Sequence, residues 1–282
     1  MAGKIMAGVD GSVPATAAVE WAAADAHRRG RSLHLVHVHE HWPLVLDEAE
    51  SRYGADALRA AAARAHEVAS DVEVTTEVRS GNVAEQLITE SASAECVVLG
   101  SRGRGGFAAM LLGSVSAAVA GYAAVPVVVV RGRAEATYGR VVVGYDGSKC
   151  SRTAMRYAIE QARARRARVH AVFAWQVPMS VPYAAAYVGV LDSAFEEQQR
   201  KAREAVTPWR EENPDVEITD EQVCEHPVAA LMKASATADL VVVGSRGMGG
   251  FASAVLGSVS RGVLNHVTCP VAVVRPSAAD DR

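Results

Sequence analysis

The chain has 282 residues, half of them hydrophobic and only 5% aromatic, and its formal net charge at pH 7 is −3. This length suits two domains of ordinary size. The nearly balanced charge argues against nucleic acid as a partner, because nucleic-acid-binding domains carry a strongly basic surface.

The first half of the chain alternates short apolar runs with alanine-rich or amphipathic runs, which is the pattern of strands alternating with helices. The predicted strands are residues 4–9, 32–38, 72–78, 96–99 and 126–131. The predicted helices are residues 15–29, 50–70, 83–93 and 114–122. Ser12 suits the N-cap of the first helix, and Pro14 suits its first turn. This alternation predicts a parallel sheet with helices on both faces.

The second half follows the same order. Its predicted strands are residues 140–144, 168–174, 216–219, 239–243 and 270–275, and its clearest helices are residues 151–166 and 191–212. We therefore predict a first domain over 1–131, a linker over 132–139, a second domain over 140–276 and a polar tail over 277–282.

Two phrases occur once in each half. The sequence GVDGS at 8–12 returns as GYDGS at 144–148, and a G-x2-G-x9-G-S phrase at 100–114 returns at 244–258. Repetition at this long offset indicates a duplicated domain rather than a short solenoid repeat. Because the phrases follow the first and fourth predicted strands, they face one crevice if those strands are neighbours.

The longer phrase suits a phosphate-binding loop. Glycines have no Cβ, so backbone N–H groups can close on an anion. Gly113 and Ser114 lead into a predicted helix, whose N-terminus offers free N–H donors and partial positive charge. Hydroxyls of Ser114 and Ser116 would add hydrogen bonds, and Arg102 and Arg104 would add charge. A turn that only lets strand and helix pack closely explains the same glycines, and both interpretations stay open here.

Other nucleotide and catalytic motifs are absent from the sequence. There is no G-x-x-x-x-G-K-[ST] phrase, which disfavours a Walker-type NTPase. The dinucleotide fingerprint would follow the first strand, where the chain instead has GVDG at 8–11, so a redox dehydrogenase is disfavoured. No catalytic triad or H-E-x-x-H motif gives a positive case for an enzyme.

The chain resembles the ATP-binding branch of the universal stress protein family, in its tandem two-domain form. The resemblance rests on the two duplicated phrases and on the Pro-Val-x-Val-Val strand found at 126–131 and 270–275, and it covers nearly the whole chain. It implies an α/β fold of two tandem Rossmann-like domains of the adenine nucleotide alpha hydrolase-like type. Each would be a five-stranded parallel sheet of order 3-2-1-4-5 flanked by helices.

The resemblance also implies one ATP site in each domain, with Mg²⁺ or Mn²⁺ as the accompanying ion. For the first domain the implied binding residues are Gly8, Val9, Asp10, Val38, Gly100, Ser101, Arg102, Gly103, Arg104, Gly106, Gly113, Ser114, Val115 and Ser116. For the second domain they are Gly144, Tyr145, Asp146, Ala174, Gly244, Ser245, Arg246, Gly247, Met248, Gly250, Gly257, Ser258, Val259 and Ser260.

Within these sets the aspartates would contact the ribose, and Val38 and Ala174 would pack against adenine. The alternative role for Asp10 is that of a helix cap. Ala174 is smaller than Val38, and Met248 stands where the first domain has Arg104. We therefore expect weaker binding in the second site.

The resemblance further implies that the strands at 126–131 and 270–275 pair antiparallel, so that one chain forms a pseudo-dimer. Association of two chains into a homodimer is left open. The implied role is a nucleotide-dependent sensor or regulator of stress responses in the cytoplasm. The alternatives are a slow ATPase and an interaction protein that binds no nucleotide.

One segment imitates a membrane helix, because residues 107–130 contain no charge and are long enough to span a bilayer. The aligned segment 251–274 contains Arg261, Asn265 and His266. A glycine loop, a helix and a buried strand explain both copies, so we expect no membrane partner.

Four histidines lie near the end of the second strand: His34, His37, His39 and His41. The last three alternate, which is a spacing that Zn²⁺ or Ni²⁺ could use. The aligned residues of the second half are Phe173, Trp175 and Val177, which do not bind metal. We therefore favour buried or rim histidines over a metal site.

Overall fold

The computed structural model describes residues 3–40, 47–105, 111–131, 137–176, 188–247 and 255–276. The N-terminal half contains β1 (Lys4–Gly8), α1 (Val13–Arg29), β2 (Ser32–His39), α2 (Asp47–Val68), β3 (Val74–Ser80), α3 (Val83–Ser91), β4 (Cys96–Gly100), α4 (Ser114–Tyr122) and β5 (Val127–Val130). The C-terminal half contains β6 (Arg140–Gly144), α5 (Lys149–Arg165), β7 (Arg168–Ala174), α6 (Val188–Glu212), β8 (Ile218–Val223), α7 (Pro227–Ser235), β9 (Leu240–Gly244), α8 (Ser258–His266) and β10 (Val271–Val274).

All these strands form one sheet of order β3-β2-β1-β4-β5-β10-β9-β6-β7-β8. Neighbouring strands within each half are parallel, so each half has the predicted order 3-2-1-4-5. At the centre β5 and β10 pair antiparallel, with Val128 opposite Ala272. This pairing joins the halves and removes two open sheet edges.

Helices cover both faces of the sheet. Side chains alternate along β1, so Ile5 and Ala7 pack under α1 and α2 while Met6 packs on the opposite face. Helix α1 presents fully buried Ala18, Ala22 and Ala26 to the sheet, a spacing of four residues that keeps them on one face. Small helix residues against valine-rich strands thus form an aliphatic core, in keeping with a chain in which only 5% of the residues are aromatic.

The first helix of each half begins with a serine cap. Ser12 Oγ accepts from the backbone N–H of Ala15 at 3.3 Å, and Ser148 Oγ from that of Ser151 at 3.2 Å. These caps hold the helix start close to the end of the preceding strand.

A buried polar network joins α1 to α5 across the two halves. Asp25 is fully buried, and its Oδ1 lies 2.9 Å from Arg165 Nη2. Its Oδ2 lies 3.4 Å from Arg29 Nη1 and accepts from Gln161 Nε2 at 3.4 Å. A buried charge with this many partners fixes how the two helices meet, because losing one partner would leave the carboxylate uncompensated.

The third strand of each half differs most from prediction. It begins two residues later than predicted in both halves, at Val74 and at Ile218, and it ends later as well. Val72 and Val216 are apolar residues buried in the turns before these strands. For this reason the sequence pattern predicted that the strands begin there, two residues too early. Both strands lie at sheet edges, where polar side chains hide the apolar pattern.

Two predicted segments are affected by the limits of the described residues: most of the linker (132–136) and the whole of the tail (277–282) lie outside them. The predicted domain limits therefore stay predictions. No helix within the described ranges is long and apolar enough to cross a membrane.

Candidate functional site

Both halves have an open cavity at the carboxyl ends of their central strands. The first crevice lies beyond β1 and β4 and has a volume of about 690 Å³. The second crevice lies beyond β6 and β9 and has a volume of about 540 Å³. Because β1 lies between β2 and β4, the chain leaves β1 and β4 toward opposite faces of the sheet, and a crevice opens between them.

In the first crevice an aspartate fastens the glycine loop to the end of β1. Asp10 Oδ1 accepts from the backbone N–H of Ser12 at 2.9 Å, and Oδ2 accepts from that of Arg104 at 3.0 Å. A Cβ on Gly103 would lie 2.5 Å from Asp10 Oδ2. The loop can approach the carboxylate this closely only because residue 103 has no side chain.

The second crevice repeats this arrangement. Asp146 Oδ1 accepts from the backbone N–H of Ser148 at 3.0 Å. A Cβ on Gly247 would lie 2.6 Å from Asp146 Oδ2. The shared phrase at the end of the first strand therefore has a geometric role in both halves. The aspartates are not the helix caps, because Ser12 and Ser148 are the N-caps and the aspartates accept from their backbone N–H groups.

The first glycine of each loop passes close to the N-terminus of the first helix. A Cβ on Gly100 would lie 2.6 Å from the carbonyl carbon of Pro14. A Cβ on Gly244 would lie 2.8 Å from the carbonyl carbon of Cys150. Backbone atoms cannot move aside cheaply, so both positions require glycine.

Each loop ends at a helix that has no side-chain cap. Gly113 is the N-cap of α4 and Gly257 is the N-cap of α8, and neither start has a capping hydrogen bond from a side chain. In contrast, α1, α3, α5 and α7 all begin with such a bond. The first N–H groups of a helix carry partial positive charge. These two helix starts therefore offer backbone donors to the crevices.

Serines in the first turn of α4 and α8 stabilise the loops. Ser116 Oγ donates to the carbonyl of Gly100 at 2.6 Å, and Ser260 Oγ donates to that of Ser245 at 2.9 Å. Both serines were predicted to bind phosphate through their hydroxyls. Those hydroxyls are engaged with loop carbonyls, whereas the serine at the first position of each helix is exposed to the crevice.

Positive charge gathers beside the first loop. The Arg104 guanidinium lies 4.0 Å above the ring of Tyr53, whose hydroxyl donates to the carbonyl of Asp10 at 3.0 Å. Arg102 also lines the crevice. Burial, and then the charge of Arg102, lower the pKa of Arg131 behind the loop.

The second loop has a similar pair of arginines. Arg246 lines the second crevice. Burial, and then the charge of Arg246, lower the pKa of Arg275. An anion in either crevice would relieve the repulsion between the two arginines beside it.

Arg131 and Arg275 also connect each loop to the other half of the molecule. Arg131 Nη1 donates to the Leu111 carbonyl of its own loop at 2.8 Å, and its Nη2 donates to a carbonyl of α8. Arg275 Nη2 donates to the Val255 carbonyl of its own loop at 3.1 Å and also to a carbonyl of α4. The two loops are thus held against the interface between the halves.

The remaining walls of the crevices contain apolar side chains, and the first crevice is lined by His37, His39 and Glu40 as well. Val38 lines the first crevice and Ala174 the second; these are the two positions expected beside adenine. The sequence did not indicate Leu87 of α3 and Leu231 of α7, which also line the first and second crevice respectively. Both leucines lie outside the duplicated phrases, at aligned positions of α3 and α7, and that alignment is the only signal that could have found them.

The predicted residues that the structure describes line the two crevices, apart from Ser101 and Ser245. These two serines are buried beneath the loops, where the Ser101 carbonyl accepts from Gly113 N at 2.7 Å. Their contribution is therefore to loop shape. Three predicted residues lie outside the described ranges: Gly106, Met248 and Gly250.

Of the alternating histidines near the end of β2, the structure describes His37 and His39. His41 lies outside the described residues. His37 is buried, and its Nδ1 lies 2.7 Å from the carbonyl of Val9. Within the described ranges, one group of three side chains could hold a metal ion, and it contains His34, Glu77 and Glu90 instead.

The fold and its two glycine-lined crevices define a tandem α/β protein with Rossmann-like halves. The family model described as "Universal stress protein family" matches residues 1–131 and 137–275. The chain belongs to the universal stress protein family, and with it to the proteins of the stress response.

Curated relatives and a solved structure agree with this membership. A universal stress protein of Mycolicibacterium smegmatis is 36% identical, with the match covering 96% of this chain and 97% of that protein. The universal stress protein Rv1996 of Mycobacterium tuberculosis is 35% identical over 96% of this chain and 94% of its own length. The crystal structure of a universal stress protein from Archaeoglobus fulgidus shares the fold, with a TM-score of 0.69, 21% identity and coverage of 96% and 98% of the two chains.

Proposed function

We propose that each crevice binds ATP and that its occupancy regulates the role of the chain in the stress response. The observation that carries this proposal is the uncapped start of α4 and of α8 at the end of a glycine loop. Backbone N–H groups at such a helix start are a ready site for phosphate. The arginines beside each loop add charge of the right sign.

The crevices have room for a nucleotide. Their volumes of about 690 and 540 Å³ fall within the range of roughly 300–1,000 Å³ typical of small-molecule sites. The loop end of each crevice has glycines and arginines, which suits a triphosphate. Away from the loop, Val38 and Leu87 in the first crevice and Ala174 and Leu231 in the second offer apolar surface for adenine. In the first crevice His37, His39 and Glu40, next to Val38 in the chain, add polar groups to this wall.

Asp10 retains capacity to bind the ribose. Each of its oxygens accepts one backbone hydrogen bond, and an ionised carboxylate has about four acceptor positions. Two positions therefore remain for ribose hydroxyls. We propose that the accompanying Mg²⁺ or Mn²⁺ is held mainly by phosphate oxygens and water, because Mg²⁺ in nucleotide sites commonly rests on substrate phosphates.

Calorimetric titration of the full chain with Mg-ATP tests the proposal, with Gly113→Ala and Gly257→Ala as matched variants. The backbone of residue 113 has φ −72°, and an added Cβ there would lie 3.4 Å from its nearest neighbours. At residue 257 that distance is 3.3 Å. Alanine would therefore lie tightly against backbone atoms at both positions, but without the closer overlap expected at Gly100 and Gly244, and its methyl group would crowd a phosphate at the helix start.

We expect the wild-type chain to bind one ATP in each half. Each variant should lose at least roughly tenfold in affinity at its own site and retain the other site. Absence of binding heat in the wild-type chain, together with empty crevices in crystals grown with ATP, would refute the proposal. Unchanged binding in both variants would refute the assignment of the phosphate to these helix starts.

A further inference from the structure

A polar cluster lies apart from both crevices, between the edge strand β3 and the helix α3. His34 on β2, Glu77 on β3 and Glu90 on α3 direct ligand atoms toward one point, all within 4.8 Å of one another. His34 is 8% exposed. None of the three residues lines the first crevice, so the nucleotide proposal does not account for them.

The ring of His34 is held in one orientation and presents an unpaired nitrogen. Its Nδ1 lies 2.8 Å from Thr75 Oγ1, on the residue opposite it in the sheet register. Its Nε2 is buried without a hydrogen-bond partner, 3.3 Å from Glu77 Oε2 and 4.0 Å from Glu90 Oε1. A buried polar atom without a partner is costly. A ring nitrogen that faces two carboxylate oxygens calls for a cation between them, and a proton or a metal ion can serve as that cation.

The second half shows which nitrogen carries the proton. His170 Nδ1 lies 3.0 Å from Thr219 Oγ1, and that hydroxyl donates its own proton to the Val169 carbonyl at 3.2 Å. The hydroxyl therefore accepts from Nδ1–H. Nε2 of the same ring lies 3.1 Å from Glu221 Oε2, and only a proton or a metal ion can join a ring nitrogen to a carboxylate oxygen. The aligned pair of His34 and Thr75 has a similar separation, 2.8 Å, so we infer that Nδ1 of His34 also carries a proton and that Nε2 is the nitrogen that can bind a metal ion.

Two basic side chains, Arg79 and Lys4, lie beside the cluster, and they contact different carboxylate oxygens. Arg79 Nε lies 2.8 Å from Glu77 Oε1, and its Nη2 lies 2.6 Å from Glu90 Oε2. Arg79 thus holds the outer oxygen of each carboxylate. The inner oxygens face His34, and the cation nearest to them is Lys4, with Nζ at 3.5 Å from Glu90 Oε1.

We propose that His34 Nε2, Glu77 Oε2 and Glu90 Oε1 form a site for a divalent transition-metal ion of the Zn²⁺ type. One imidazole and two carboxylates suit Zn²⁺, with water completing a tetrahedron. Bonds of about 2.0–2.2 Å put tetrahedral ligand atoms roughly 3.3 Å apart, so His34 and Glu77 already have the required separation. Glu90 moves inward as the ion takes the place of the Lys4 ammonium. Arg79 then orients both carboxylates from behind, as outer partners of metal ligands do.

The second half supplies an internal control. His170 and Glu221 repeat the first two ligands, with Nε2 and Oε2 at 3.1 Å. The residue aligned with Glu90 is Ala234, so the third ligand is missing there. The second half should therefore not hold the ion, although His170 has the same threonine and glutamate partners.

Titration of the full chain with Zn²⁺, without nucleotide, tests the proposal. Long-range ¹H–¹⁵N spectra of the histidine rings report which nitrogen is bound. We expect the Nε2 resonance of His34 to shift with one equivalent of Zn²⁺ and that of His170 to stay in place. Millimolar Mg²⁺ should leave both unchanged, because Mg²⁺ prefers oxygen ligands.

Two variants with opposite expected effects complete the test. Glu90→Ala, which copies the second half, should weaken Zn²⁺ binding at His34 by at least roughly tenfold. Lys4→Met removes the competing cation and should strengthen binding roughly three- to tenfold, a result that loss of structure cannot imitate. The proposal would be overturned if the His34 Nε2 resonance did not shift at saturating Zn²⁺, or if the wild type and Glu90→Ala bound Zn²⁺ with equal affinity.

Discussion

The first and second crevices share their backbone geometry and differ in their side chains. In both, an aspartate accepts from the backbone at the helix start, a glycine loop passes close to that aspartate, and an uncapped helix follows. The walls have diverged: the first crevice has Arg104 stacked on Tyr53, whereas the second has Tyr145, whose hydroxyl accepts from Trp209 Nε1 at 3.3 Å.

This difference separates the structural requirements of the glycine loops from those of the crevice walls. Glycines at fixed spacing are needed because added Cβ atoms would meet backbone or carboxylate atoms in both halves. The wall residues meet no such constraint, so they can change size and charge without altering the loop. We therefore expect the halves to respond alike to changes in the loop and differently to changes in the walls.

The largest effect should follow from Gly100→Ala and from Gly244→Ala. The new methyl group would overlap backbone atoms, at 2.6 Å from Pro14 and 2.8 Å from Cys150. Overpacking of this kind costs about 1–3 kcal/mol, and the loss in free energy of unfolding should be similar in the two variants. Urea unfolding of the full chain measures it. Gly113→Ala is the control, and a loss as large in that variant would contradict the geometric explanation.

Arg104→Met should have the next largest effect, because it gives the first crevice the residue that the second has at the aligned position. Loss of the guanidinium beside the loop should lower ATP affinity at the first site by roughly tenfold. Adenosine binding should change much less, since no phosphate is present. The comparison of ATP with adenosine by calorimetry checks this. An equal loss for both ligands would indicate that Arg104 acts by shaping the pocket.

The strand and helix pattern and the loop phrases could be predicted from sequence because they are local. The strands at the centre of each half are short apolar runs, and each loop is a set of glycines at fixed spacing. The starts of the edge strands β3 and β8 were predicted two residues too early, because the buried Val72 and Val216 extend the apolar run into the preceding turn. The local sequence pattern does not show which valine lies in the turn and which one begins the pairing with the neighbouring strand.

Features that depend on distant residues could not be predicted in the same way. Leu87 and Leu231 reach the crevices from helices that carry no motif. The His34 cluster requires the register of β2 against β3 and the placement of α3 over both. From sequence alone the alternating histidines His37, His39 and His41 were the visible candidates, because their alternation can be seen without knowing the sheet, and a metal site there was not favoured.

Val38→Ala and Ala174→Val should have smaller effects of opposite sign. The first variant gives the first crevice the smaller wall of the second, and the other does the reverse. Valine and alanine differ by two methylene-sized groups, each worth about 0.8 kcal/mol when fully buried. Because Val38 is already largely buried by protein, a ligand would cover only part of that area, and nucleotide affinity should fall or rise by roughly threefold to fivefold. ATP and adenosine should change equally, unlike in Arg104→Met. Effects confined to ATP would place adenine away from this wall.

The smallest predicted effect is on the pH dependence of folding stability, through His170 in the second half. Burial lowers the pKa of His170 from its ordinary 6.5, and the charge of Arg140 acts in the same direction, while Glu221 and Asp220 oppose them. The unfolded chain therefore binds the proton more readily than the folded chain. The stability that this neutral ring contributes is present above the unfolded pKa and is lost as the pH falls through and below it.

His170→Gln keeps a polar side chain at this position but cannot titrate. Between pH 7.5 and 5.5, in the presence of EDTA, the urea midpoint of the wild type should fall more than that of the variant. The difference should be small because the pair with Glu221 is partly exposed to solvent. Parallel pH profiles for the two proteins would show that the His170 ring keeps its ordinary pKa, and that the opposing carboxylates balance its burial.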